Sequence, residues 1–179
     1  MRKIALLAVA GALVLPSSAL ASDTADAPSP AQSCKDQRTA IGVSAFKALY
    51  GTNKNKSNAF GKCVSKQEKA QKAAHEDAAG TAPAKCRAER DADPDAFAQK
   101  YGTNKNKTNA FGKCVSQTAK ADAEEAIAEH NEATIDAAKA CKAERAADPD
   151  AFAQKYGTNA NKRNAYGKCV SKQAQPETS

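Results

Sequence analysis

The chain has 179 residues, a formal net charge of +7, six cysteines and nine aromatic residues, none of them Trp. Past residue 21 it holds one Leu (Leu49), three Ile, four Val and five Phe, far under the roughly 20% at which composition turns disorder-like. That excludes a single large apolar core, and no apolar run beyond the N-terminus is long enough to span a bilayer.

Arg2 and Lys3 precede an apolar run from Ile4 to Leu15, a Pro16-Ser17-Ser18 break and small residues at Ala19 and Ala21. This is the tripartite pattern of a secretory signal peptide, residues 1–21, cut after Ala21. A retained anchor needs about 20 apolar residues, and this run is shorter and interrupted by proline. Cleavage lowers the charge to +5, because Arg2 and Lys3 leave with it. The expected product is a secreted chain, extracellular, periplasmic or associated with the cell envelope, with no stable membrane insertion. Residues 22–33 contain two prolines and read as a disordered segment.

Three near-copies of one unit fill the remainder: Tyr50 to Ser65 reads YGTNKNKSNAFGKCVS, Tyr101 to Ser116 reads YGTNKNKTNAFGKCVS, and Tyr156 to Ser171 reads YGTNANKRNAYGKCVS. Cys34, Cys86 and Cys141 lie 29, 28 and 28 residues before Cys63, Cys114 and Cys169. Such a period marks one small unit triplicated, here over 34–66, 86–117 and 141–172. Six cysteines permit 15 connectivities. If each unit is self-sufficient, Cys34 pairs with Cys63, Cys86 with Cys114 and Cys141 with Cys169. Closing a loop of that size stabilises by about 3.5 kcal/mol on the chain-entropy account, comparable to the whole core of a very small domain. Zinc or redox thiols fit poorly, since no C-x-x-C occurs and the only histidines, His75 and His130, fall between the units.

Within a unit, three short helices are expected. In the second, Cys86 to Ala92 is rich in Ala, Glu and Arg, and Asp93-Pro94-Asp95 then supplies an N-cap, a first-position proline and an acidic first turn. Phe97 and Tyr101, four apart, share a face, and Gly102 is placed to close the helix in the left-handed conformation. Asp148-Pro149-Asp150 through Gly157 repeats this signal, whereas Ala40 to Tyr50 has no proline, so the first two helices there are expected to merge. A Thr-Asn-x-Asn-Lys loop follows, and Asn58, Asn109 or Asn164 precedes a third helix on which Phe111, Cys114 and Val115 form one stripe. The expected core is Phe97, Tyr101, Phe111, Val115 and the disulfide. Gly112 costs about 1 kcal/mol relative to Ala inside a helix, which points to a close backbone approach, with recent duplication as the simpler alternative.

The linkers, 67–85 and 118–140, are rich in Ala, Lys and Glu. From Asn109 to Ala147 only Gly112 interrupts helix, so one continuous helix is expected, while Gly80-Thr81-Ala82-Pro83 predicts a hinge. Val115, Ile127 and Ile135 share no narrow face, which favours solvated alanine helix over coiled-coil pairing. The tail, 173–179, reads as disordered. The predicted class is all-α: three small disulfide-stapled helical units joined by helical, Ala-rich linkers after a cleaved signal peptide.

Motifs for chemistry are sparse. Gly61-Lys62 lacks the spacing and hydroxyl of a phosphate-binding loop. Asn53, Asn55 and Ser57 alternate like calcium ligands but bring no carboxylate. Asn55-Lys56-Ser57 and Asn106-Lys107-Thr108 are glycosylation sequons, lost at Arg163 in the third copy. No recurring acid, base or nucleophile group suggests catalysis, and no cofactor or metal is expected. What recurs is amides and cations: Asn53, Asn55, Lys56, Asn58 and Lys62; Asn104, Asn106, Lys107, Asn109 and Lys113; Asn159, Asn161, Lys162, Asn164 and Lys168.

Three roles follow. A non-enzymatic structural or spacer protein comes first, because asparagines make turns and caps and lysines keep surfaces solvated. The alternative is multivalent binding of an anionic extracellular polymer, a wall polymer, nucleic acid or acidic glycan, through the repeated loops. A cationic antimicrobial or toxin-like effector comes third, since no basic amphipathic face is present. Oligomeric state is left open by the sequence.

Overall fold

The computed structural model describes residues 26–175; residues 1–25, which include the expected signal peptide, and residues 176–179 lie outside them. Among the described residues there are seven helices and no strand: α1 (Pro30–Ile41), α2 (Val43–Tyr50), α3 (Ala59–Ala92), α4 (Pro94–Tyr101), α5 (Ala110–Ala147), α6 (Pro149–Tyr156) and α7 (Ala165–Gln173). The all-α expectation holds.

The caps explain most boundaries. Asp93 and Asp148 each accept from the backbone N–H three residues on, at 2.9 Å, with Pro94 and Pro149 at the first helical position. Ser29 caps α1 in the same way ahead of Pro30. Residues 30–33, expected to be disordered, are therefore the first turn of α1, with Ser33 buried. The first repeat's two helices do not merge: Gly42, at φ 82°, separates them with a backbone that side-chain-bearing residues avoid.

The first linker is not a hinge. α3 runs unbroken for 34 residues through Gly80 and Pro83, and α5 for 38 residues, about 51 and 57 Å at 1.5 Å per residue. Nor are these helices solvated on all sides. They lie antiparallel along a seam in which Ala78 and Ala82 of α3 lie by Ala123 and Ile127 of α5, and farther along Gln67 of α3 lies by Thr134 of α5. Lys85 reaches Asp122 across the seam, and farther along Gln37 of α1 reaches Asn131 of α5. Small side chains let the two backbones approach, so alanine supplies the contact that large heptad residues supply elsewhere. A proline inside a helix costs about 3 kcal/mol, and the buried Ala78, Ala82 and Cys86 on either side of Pro83 hold α3 through it.

Turning the chain back in this way brings the first and third repeats together. One apolar cluster joins Cys34, Ile41, Phe46, Tyr50 and Cys63 to Cys141, Phe152, Tyr156, Tyr166, Cys169 and Val170. The second repeat sits alone at the far end around Cys86, Phe97, Tyr101, Ala110 and Cys114, with Phe111 and Val115 half-buried beside them. All three disulfides, Cys34–Cys63, Cys86–Cys114 and Cys141–Cys169, join cysteines of the same repeat, with Cα atoms 6.0 Å apart.

A polar pairing inside each repeat explains why the first departs from the other two. Tyr101 and Tyr156 donate to Glu89 and Glu144 at 2.9 and 3.0 Å, and Lys100 and Lys155 complete an ion pair with the same carboxylates. In the first repeat the corresponding residues are Tyr50, Gln37 and Leu49, with Tyr50 donating to Gln37 at 2.5 Å. Gln37 is 1% exposed and Leu49 packs on the shared core. A charged pair buried there would carry a desolvation cost; the neutral amide and the leucine avoid it.

Candidate functional site: a basic cleft between the first and third repeats

Each repeat carries the same rigid loop, held mostly by its own side chains. The amide oxygen of Asn58, Asn109 or Asn164 accepts from the backbone N–H groups of the loop's Thr and first Asn, and the amide nitrogen donates to that Thr hydroxyl at 2.6–2.7 Å. These asparagines stand where an N-cap would and make no cap bond; they close the loop instead. Asn55, Asn106 and Asn161 accept from the backbone two residues on, as Asx turns do.

The left-handed position is not the glycine. Gly51, Gly102 and Gly157 are extended, and the positive φ falls on Lys56, Lys107 and Lys162, at 59°, 57° and 54°. Each of these lysines folds over its glycine and donates its ammonium to the glycine carbonyl, at 2.6, 2.8 and 3.0 Å. A Cβ on Gly102 would stand 2.6 Å from both the Ala98 oxygen and Lys107 Cδ. Close approach therefore explains Gly102 and its counterparts. At Gly61 and Gly112 a Cβ would meet nothing within 4 Å, and only Gly167 has a neighbour, the Leu49 oxygen at 3.6 Å. Duplication accounts for the first two.

The hairpin sets the first loop opposite the third. Between them lies a cleft of about 630 Å³ whose polar lining includes Asn53, Lys54 and Lys66 on one side and Asn159, Arg163 and Lys168 on the other, over an apolar floor that includes Ala48 and Leu49. No carboxylate lines it. Lys54, Lys66, Arg163 and Lys168 take part in no ion pair among the described residues. A low-dielectric wall with one sign of charge focuses its field into the space between.

Of the residues expected to bind anions, the fold brings Asn53, Lys56, Asn159, Asn161, Asn164 and Lys168 to this cleft. Lys56 arrives with its ammonium already committed to Gly51. Asn55, Asn58, Lys62 and Lys162 do not line the cleft, and Asn104, Asn106, Lys107, Asn109 and Lys113 lie in the repeat at the other end of the hairpin. The repeat pattern passed over Lys54, Lys66 and Arg163. Lys66 stands just outside the copied segment, and Arg163 was visible only as a departure from Ser57 and Thr108.

Beside the cleft, and sharing Leu49, Lys66 and Ser171 with it, a smaller pocket of about 340 Å³ is lined by Tyr50, Gln67, His130 and Thr134 among others. Burial pushes the Tyr50 hydroxyl up to about 12 against an opposing hydrogen bond from Gln67. His130 is held below its ordinary value, first by burial of the ring and then by the Lys66 ammonium. The Gln67 carbonyl oxygen is buried without a hydrogen-bond partner. Among the described residues no group of His, Cys, Asp and Glu is arranged to hold a metal ion, and no helix is long and apolar enough to cross a membrane. No family model, no curated protein and no solved structure matches the chain.

Proposed function

We propose that this is an exported, non-enzymatic protein, built from three disulfide-stapled repeats, that binds an anionic extracellular polymer at the end of the hairpin where the first and third repeats meet. The single observation behind this reading is the cleft between the two loops, with four unpaired cations and no carboxylate. Buried disulfides persist in oxidising compartments, which agrees with export after removal of residues 1–21. On this reading the site is one shared cleft rather than multivalent contact through all three repeated loops. Retention of the folded, oxidised chain on an anionic polymer matrix tests it. Binding at low salt and release at a few hundred millimolar salt are expected, with retention lost on replacing Lys66 and Lys168 by Ala. Passage through the matrix at low salt contradicts the reading.

A structural role is the second reading, favoured by the stiffness of the molecule. The disulfides at the two ends are held about 35–40 Å apart along the paired helices, from Cys63 to Cys86 on α3 and from Cys114 to Cys141 on α5, and three loop lysines spend their ammonium groups inside their own loops.

A further inference from the structure

Resting on the polyanion reading, we infer that the ligand of the cleft is an acidic polysaccharide, a linear glycan bearing carboxylate or sulfate groups. The third loop carries the argument, through a comparison internal to the molecule. In the first two loops the leading asparagine is tied down: Asn53 donates to the Ser57 hydroxyl at 2.9 Å, and Asn104 to the Thr108 hydroxyl at 3.0 Å. In the third loop Arg163 replaces that hydroxyl. Asn159 then keeps only backbone bonds, its N–H donating to Asn164 and its carbonyl accepting from the Lys162 N–H, and its side-chain amide makes none among the described residues. One substitution has thus released a donor–acceptor amide and added a guanidinium, and both line the cleft. The loop keeps its fold, because the Asn164 and Lys162 bonds remain.

The pairing of freed amide and cation suits a chain that alternates hydroxyls with oxyanions. Carboxylate and sulfate groups take the bidentate guanidinium and the ammonium groups, and sugar hydroxyls take the amide. The same lining argues against nucleic acid. Single strands are held by bases stacked on exposed aromatic rings, yet Phe46, Tyr50, Phe152, Tyr156 and Tyr166 are all buried in the core shared by the first and third repeats, and Phe60 is half-buried against it. A duplex needs an open face that tracks its phosphates, and the site is concave, within the roughly 300–1,000 Å³ of a ligand cleft.

Calorimetric titration of the oxidised chain separates these ligands. The probes are an oligouronate, a neutral oligosaccharide of equal length, and polyphosphate and single-stranded DNA of equal charge. The oligouronate is expected to bind at least about tenfold more tightly than either other polyanion, and the neutral sugar not at all. Asn159→Ala, which removes no intramolecular side-chain bond, is expected to weaken the oligouronate about 2–10-fold, the range of one neutral hydrogen bond, and to leave polyphosphate unchanged. Arg163→Thr, which installs the residue the second loop already folds with, is expected to weaken both. Equal affinity for all polyanions, or an Asn159→Ala effect of the same size on uronate and polyphosphate, overturns the glycan assignment and leaves the polyanion reading in place. Tightest binding to DNA replaces the glycan with nucleic acid. No binding of any polyanion overturns both.

Discussion

Gly102 and Gly112 are ten residues apart in the same repeat, and the fold needs only one of them. At Gly102 the space for a side chain is taken by a carbonyl and by the folded Lys107, so Gly102→Ala is expected to destabilise by about 1–3 kcal/mol, as overpacking does. At Gly112 the space is open, and Gly112→Ala is expected to be neutral or to stabilise by up to about 1 kcal/mol through helix propensity. Denaturant unfolding of the two variants with disulfides intact checks both, and the reverse order contradicts the loop geometry. The sequence marked both glycines as recurrent, but recurrence in a triplicated chain does not separate need from inheritance. Nor did it mark Lys56, Lys107 and Lys162 as the left-handed residues, because lysine carries no turn signal and the bond from its ammonium to the glycine carbonyl is visible only in the folded loop.

The short elements were legible because their signals are local. Asp93-Pro94-Asp95 and Asp148-Pro149-Asp150 start α4 and α6, and a phenylalanine and tyrosine four apart place the buried face, with ring centroids 4.9 Å apart. The pairing of α3 with α5 was not legible from the large residues Val115, Ile127 and Ile135. Its contact runs along Ala123, Ile127, Thr134, Ala138 and Cys141, at spacings that mark a stripe only once alanine is counted as apolar. The same seam carries α3 through Pro83, so Pro83→Ala is expected to restore a backbone hydrogen bond and raise stability by about 1–3 kcal/mol. Thermal unfolding reads this directly. A loss of stability on the same substitution means that the proline's own contacts outweigh the missing bond.

At the scale of the whole molecule, the hairpin creates what no single repeat contains. The cleft draws Lys54 and Lys66 from one copy and Arg163 and Lys168 from another more than 90 residues later, so no local pattern announces it. The pocket at its edge adds a pH dependence. The folded value of His130 lies below the ordinary 6.5, so the unfolded chain takes up the proton first as pH falls. Stability is therefore full above 6.5 and declines as pH drops through it, and His130→Gln is expected to flatten that part of the profile. Glu89 and Glu144 act in a separate window. Lys100 and Lys155 hold them low, so their contribution is present above about 4.5 and disappears as pH falls through their depressed values. A profile in which stability rises between pH 7 and 5.5 contradicts the placement of His130.

The first and second loops differ only at Ser57 and Thr108, yet the fold places the first against the third and leaves the second alone. Backbone amide shifts during titration of the folded chain with a short oligouronate therefore test the central claim most directly. The account predicts that residues 52–54, 66, 159–163 and 168 respond together while 103–107 stay silent. Equal responses from all three loops mean that the repeats act as separate beads, and the shared cleft is then wrong.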